Sequence, residues 1–372
     1  MISQLSTGWA TTPPQFFVSR WLFLRLLGLV YLAAFISLWA QVGGLIGSHG
    51  ILPGADYLTA VGQATGSERY YLVPTLCWLD STDQFQGGLC AGGAALAALL
   101  ILGVAPVPVL LLLWAFYLSL TVAGQGFLSY QWDVLLLETG FLAVWFAPPQ
   151  LWPRRGSETP PARAILWLLR WLLFRLVFGS GVVKLLSGDE SWRSLRALHY
   201  HYETQPLPVW TSWYMHQLPG WFQQLSVLFT FALELLVPLL IFGPRRCRHV
   251  ACGGIVALQL LIAATGNYGF FNLLTLVLCL PLLEDDFFPT RLRAMLAPAA
   301  GPAGYRGARS WSRWLTLPVA AGIMLLSLIP FVQNCGLPAH WLAWLAPFHR
   351  AVASFRSVNS YGLFAVMTTN SP

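Results

Sequence analysis

Hydrophobic residues in this chain of 372 residues gather into long runs separated by short polar breaks. A bilayer core of about 30 Å needs about 20 apolar residues per helix. Scanning at that length predicts nine membrane helices, at roughly 17–40, 88–104, 106–124, 133–151, 163–186, 222–243, 249–266, 269–283 and 312–332. The second and third are parted only by Val104-Ala105-Pro106-Val107-Pro108. That proline pair cannot continue a helix without losing donors, so it reads as a tight turn. The eighth run is short enough to be re-entrant. The first is too long for a signal-peptide core and no A-x-A site follows it, so it reads as a retained span.

Basic residues in short loops set the orientation. Loop 152–162 carries Arg154 and Arg155, loop 244–248 carries Arg245, Arg246 and Arg248, and loop 284–311 carries Arg291, Arg293, Arg306 and Arg309. Residues 41–87 hold Asp56, Glu68, Asp80 and Asp83 against Arg69, and residues 125–132 have no charge. With nine spans, every basic loop falls on one side. The N-terminus is then cytoplasmic and the C-terminus lies on the far side. The division expected is a transmembrane domain over 1–332 and a far-side segment over 333–372.

Composition narrows the class. Apolar residues make up 56% of the chain and charged residues 9%, against about a quarter charged in an ordinary soluble domain. Fourteen acids and 21 bases cannot cover a water-facing surface, which excludes a soluble globular enzyme and a disordered chain. The fold class expected is all-α: a polytopic membrane helix bundle of about nine transmembrane helices. Eighteen Trp, 12 Tyr and 23 Phe suit rings that collect at membrane interfaces. The net charge of +7 reads as loop charge. No stretch is long and polar enough for a basic patch, so no nucleic-acid partner is implied. The six cysteines include no C-x-x-C, which removes zinc and thioredoxin chemistry. Cys77 and Cys90 fall in or beside one far-side loop, where a disulfide between them is one option.

Six charges lie inside or at the edge of spans: Asp133, Glu138, Arg170, Arg175, Lys184 and Glu234. Such charges are costly and have a reason. They either snorkel to the interface or form a buried polar centre facing the far side. Lys184 is the only lysine. It ends the fifth span on the side from which the segment Tyr130–Glu138 enters, so Glu138 or Asp133 is its expected partner. The segment Leu198–Pro208, read as an aromatic loop, packs His199, Tyr200, His201, Tyr202 and Glu203 together. The i, i+2 histidine spacing could ligate a metal only in an extended segment with a third ligand from elsewhere, a weak signal. The cluster could do acid–base work, or serve as a binding surface. No G-x-S-x-G elbow, Walker loop or G-x-G-x-x-G is present, and no metal or cofactor is implied.

Several segments together resemble the lipase maturation factor family: Ile46–Pro53, Tyr130–Glu138, Phe174–Lys184, His199–Pro208, Asn267–Asn272 and Asn359–Phe364. These ordered matches span nearly the whole chain. The resemblance implies a membrane chaperone of the endoplasmic reticulum in eukaryotes, acting on dimeric lipases. The Ala/Gly/Leu-rich composition suggests a bacterial-type member, in the inner membrane. Members usually continue past the Asn-Ser-Tyr-Gly-Leu-Phe motif into a β-rich soluble domain, whereas this chain stops at Pro372, which weakens a claim on lipase clients. Gly179-Ser180-Gly181, Lys184 and Trp192 are similar, more distantly, to the membrane part of vitamin K-dependent carboxylases.

Two functions follow as expectations. The first is a maturation factor, without catalysis, whose far face binds a client protein such as a lipase. The second is a membrane enzyme with Lys184 as its weak catalytic candidate and a quinone-like or lipid substrate. The partner- or substrate-binding candidates are His49, then Tyr130, Trp132, Asp133 and Glu138 of one segment, then Lys184. To these are added His199, His201, Glu203 and Gln205, Asn267, Tyr268 and Asn272, and in the tail Asn359 and Tyr361. The lipid bilayer is the other partner. Nothing in the sequence bears on oligomeric state.

Overall fold

A computed structural model describes residues 15–152, 158–296 and 310–369. Arg154, Arg155, Arg306 and Arg309 lie outside the described residues. Every regular element among those described is helical. In chain order they are α1 (Phe17–Ile46), α2 (Gly54–Thr65), α3 (Arg69–Leu72), α4 (Asp83–Leu102), α5 (Pro106–Ala123), α6 (Gln131–Phe146), α7 (Arg163–Leu186) and α8 (Glu190–Arg193). There follow α9 (Ala197–Thr204), α10 (Trp210–His216), α11 (Gly220–Phe231), α12 (Arg245–Thr265), α13 (Phe271–Cys279), α14 (Thr290–Leu296), α15 (Arg313–Asn334) and α16 (Ala346–Ala353).

Among the described residues, seven helical stretches are long and apolar enough to cross a membrane. They are α1, α4, α5, α7, α12, α15 and Gly220–Phe242, in which α11 runs on through non-α turns. The fourth and eighth predicted runs are helical but short: α6 has 16 residues, and α13 extends only to Leu282. At 1.5 Å per residue they measure about 24 and 18 Å, less than the hydrocarbon thickness of about 30 Å. The turn before α5 lies where the prolines put it. Gly103 caps α4 at φ 84° and Pro106 opens α5, a position where its missing N–H costs nothing.

The chain ends sort into two groups. At one end the Asp285 carboxylate accepts the first free amides of α1, Phe17 N at 3.0 Å and Val18 N at 2.9 Å, filling donors that a helix start leaves open. There too Arg20 pairs with Glu158 at 2.6 Å, Arg293 with Asp286 at 2.7 Å, and Arg248 with Glu284. Loops 244–248 and 284–311 thus meet through Arg248 and Glu284, and loop 152–162 reaches the same end through Glu158 on Arg20 of α1. The acids 284–286 tie the start of α1 to the start of α12 and to α14. At the other end Ser48 meets Asp83 and Gln131 meets Gly362.

The core is a continuous apolar cluster centred on α1, α5, α6, α7 and α13. α1 packs closely on α4: a Cβ on Gly93 would lie 2.3 Å from the Phe35 ring, so glycine there admits the neighbouring helix.

Candidate functional site

The far end is organised around the segment 359–364, an irregular strap that returns from the tail and lies across α6 and α7. Its backbone is held by side chains of the bundle. Glu138 Oε2 accepts from Asn359 N at 3.0 Å and from the Tyr361 hydroxyl at 2.7 Å. Arg175 Nη1 donates to Asn359 O at 2.9 Å. Gln131 bonds both the N–H and the C=O of Gly362 at 3.0 Å, and Asn334 donates to Tyr361 O. Trp192 Nε1 donates to Phe364 O at 3.0 Å. Irregular backbone at membrane depth must be satisfied by protein groups, and these side chains do it. Gly179 makes the approach possible, since a Cβ there would lie 2.6 Å from Tyr361 O.

Two buried ion pairs flank the strap. Arg175 Nη2 bonds Glu138 Oε1, and both side chains are almost wholly buried. Lys184 Nζ lies 2.8 Å from both carboxylate oxygens of Glu234 and 5.4 Å from the Trp192 ring centre. Lys184 therefore meets neither Glu138 nor Asp133, the partners expected from depth alone. Glu138 is taken by Arg175, and Asp133 accepts from the Tyr117 hydroxyl at 2.6 Å. Glu234 reaches inward because the helix holding it switches to a π turn over Ala232–Leu236. Pro238 follows and has no N–H to give the Glu234 carbonyl, so the regular α ladder cannot continue.

The third group is His201, Gln205 and Tyr268. The segment read as an aromatic loop is largely helix, α9, which sends His199 and His201 in different directions. The Tyr268 hydroxyl donates to Gln205 Oε1 at 3.0 Å and lies 3.1 Å from His201 Nε2. Gln205 Nε2 in turn donates to Thr265 O at 2.8 Å. Since Tyr268 has spent its one proton, His201 is the donor through Nε2–H. Burial, with Lys184 adding to it, lowers the His201 pKa from 6.5 to about 4. The Phe364 ring packs against both His201 and Tyr268, which joins this group to the strap.

A cavity of about 250 Å³ lies between α7, α12, the Glu234 turn and the strap. Tyr130, Trp132, Asn267 and Tyr268 line it, with Ser180, Glu234, Leu363 and Phe364.

The other candidates stand apart. His49 is exposed in the turn between α1 and α2. His199 faces Gly220, and exposed Glu203 lies 3.9 Å from His216. Asn272 is buried and donates to Gln259 O at 3.1 Å. The cysteines are free thiols, Cys77 and Cys90 buried among them, so the optional disulfide is not made. Sequence reasoning missed Arg175, Gln131, Ser180 and Asn334 as site residues. The first three sit in the matched segments 130–138 and 174–184, but only a returning tail shows what they hold.

The architecture defines a multi-pass helical membrane protein with a polar, strap-closed far face. Residues 18–290 match the family model described as the lipase maturation factor transmembrane domain. The chain is 49% identical to lipase maturation factor 2 of Gallus gallus over 276 residues, covering 72% of this chain and 38% of the relative. It is 42% identical to the human protein of that name over 344 residues, 87% of this chain and 47% of the relative. With lipase maturation factor 1 of Bos taurus it shares 33% identity over 377 aligned residues, 95% of this chain and 65% of the relative. The chain belongs to the lipase maturation factor family, and it spans less than half the length of the first two of these relatives. No solved structure matches it.

Proposed function

We propose that this chain is the membrane-embedded part of a maturation factor whose far face holds an exported client protein, such as a lipase, while it folds. The observation that carries this reading is a fringe of unburied aromatic side chains on α10 and the start of α11. Trp210, Trp213 and Tyr214 on the short helix α10, and Trp221 at the start of α11, are 60–77% exposed. Large exposed apolar groups on a preorganised base suit a partner with incompletely buried apolar surface. The basic end faces the cytoplasm in this reading. The far side is the periplasm in a bacterial inner membrane, which the Ala/Gly/Leu-rich composition favours, or the lumen of the endoplasmic reticulum in a eukaryote.

The pairing of Lys184 weighs against the enzyme reading. A lysine base needs a free electron pair, and this ammonium is gripped by both oxygens of Glu234.

Photo-crosslinking in native membranes tests the proposal. A crosslinker at Trp213 is expected to capture exported proteins, and one at Met295, exposed near the basic end, is not. Capture of phospholipid alone at Trp213 would reduce the fringe to an interfacial belt and reject the client surface.

A further inference from the structure

The cavity beneath the strap is a site in its own right, and its shape and polarity specify an occupant. Its walls grade from wet to dry. Tyr130, Leu207 and Asn267 are exposed at the mouth, while Leu176, Val177, Leu258 and Phe271 are buried. Leu176 lies ten residues before the far end of α7 at Leu186, about 15 Å along the helix axis at 1.5 Å per residue. The cavity is thus a narrow well running from the far face toward mid-membrane. Its volume of about 250 Å³ exceeds the roughly 150 Å³ apolar cavity that admits benzene.

The polar groups stand partway down. Glu234 is neutralised by Lys184. Ser180 donates to Leu176 O at 2.8 Å and its oxygen accepts from Leu363 N at 3.4 Å, which leaves one lone pair as an acceptor. Gln259 lines the well, is 4% exposed, and its Oε1 has no hydrogen-bond partner. A buried acceptor left unmade is costly. The three groups share one preference, for a hydrogen-bond donor, and a carboxylate beside Glu234 would be repelled.

We propose that this well binds a single-chain amphiphile: an alkyl chain seated against Leu176, Val177 and Leu258, with a hydroxyl head at Gln259 and Glu234. Leu363 and Phe364 of the strap form part of the wall, so the occupant also ties the strap down. The proposal stands apart from the client reading, because it needs no client protein to be tested.

The test uses the full chain in nanodiscs with two photoreactive probes. One is octan-1-ol with a diazirine at its far carbon. The other is a phosphatidylcholine with the same diazirine on one acyl chain and no donor in its head. Saturable labelling by the alcohol at Leu176, Val177 or Leu258 is expected, competed by unlabelled octan-1-ol. Val177→Trp, which fills the well, should lower that labelling at least fivefold. Ile262→Trp at the half-buried rim should do the same and serves if the first variant fails to assemble. Gln259→Leu should weaken half-saturation fivefold to tenfold without changing the labelled positions. Labelling by phosphatidylcholine alone would overturn the assigned head group. Alcohol labelling no stronger in the well than on the exposed face of Leu225 and Phe229 would overturn the site.

Discussion

The Tyr361 hydroxyl donates to Glu138 Oε2 at 2.7 Å across 223 positions of sequence, in a core where Glu138 is fully buried. The same carboxylate accepts Asn359 N on that oxygen and Arg175 on the other. One acid therefore joins three parts of the chain: α6, α7 and the returning tail. A carboxylate with its oxygens occupied in this way is tolerated at membrane depth, because partner charge and hydrogen bonds replace water.

Glu138→Gln removes the charge and leaves Arg175 buried and unpaired. A cost of about 3–5 kcal/mol is expected, read as a lower midpoint in thermal unfolding of the purified protein. Glu138→Leu combined with Arg175→Leu should lose much less than the two single changes added together, since contacting residues are not additive.

Lys184→Ala should likewise lower abundance and melting temperature, because it strands Glu234. Lys184→Met with Glu234→Gln should recover most of the loss. Lys184→Arg should recover only part, since the guanidinium fork does not reproduce the compact ammonium between Glu234, Ser180 O and Trp192. Full abundance of Lys184→Ala would contradict the structural role.

The six intramembrane charges were legible as costly, and the helical membrane class and the grouping of the basic loops were legible too, whereas two of the nine expected spans, α6 and α13, are short helices. Which charge meets which was not. Depth along a helix ranks Glu138 and Asp133 as reachable from Lys184, but the choice depends on helix rotation. A π turn at Ala232–Leu236 brings Glu234 to Lys184, and no hydrophobic count reveals it. The tail was assigned to the far-side segment, yet Tyr361 is 1% exposed within the core. Nothing local distinguishes 359–364 from a surface loop. Its depth comes from Glu138, Arg175 and Gln131, which were readable as unusual but not as a cradle. The helix α9 was hidden for a different reason: its His and Tyr residues have poor helix propensity, and tertiary contacts override that preference.

Gly179→Ala tests the strap by steric means. The new methyl would lie 2.6 Å from Tyr361 O, a backbone atom that cannot swing aside. Overpacking of this kind costs about 1–3 kcal/mol, and the tail beyond Asn334 should become more sensitive to protease. Gly253→Ala is the control. It lies in α12 with nothing within 4 Å of the added carbon, so helix propensity predicts no loss and a gain of up to about 1 kcal/mol.

His201 gives the last prediction, a dependence on pH. In the folded chain its pKa is lowered from 6.5 to about 4 by burial and then by Lys184. Between those values the unfolded chain binds a proton that the folded chain refuses. Stability from this group is therefore full above about pH 7, falls as pH drops from 6.5 toward 4, and levels off below that. At 1.36 kcal/mol per pKa unit the span is about 3 kcal/mol. Protonation also gives Nδ1 a proton that must find an acceptor in a setting already shared with a cation. His201→Gln keeps a donor for the Tyr268 hydroxyl and has no titration in this range, so it should flatten that part of the profile while leaving the melting temperature at pH 8 within a few degrees. Melting curves at half-unit steps from pH 4 to 8 decide it: an unchanged slope in His201→Gln would assign the acid sensitivity to another group.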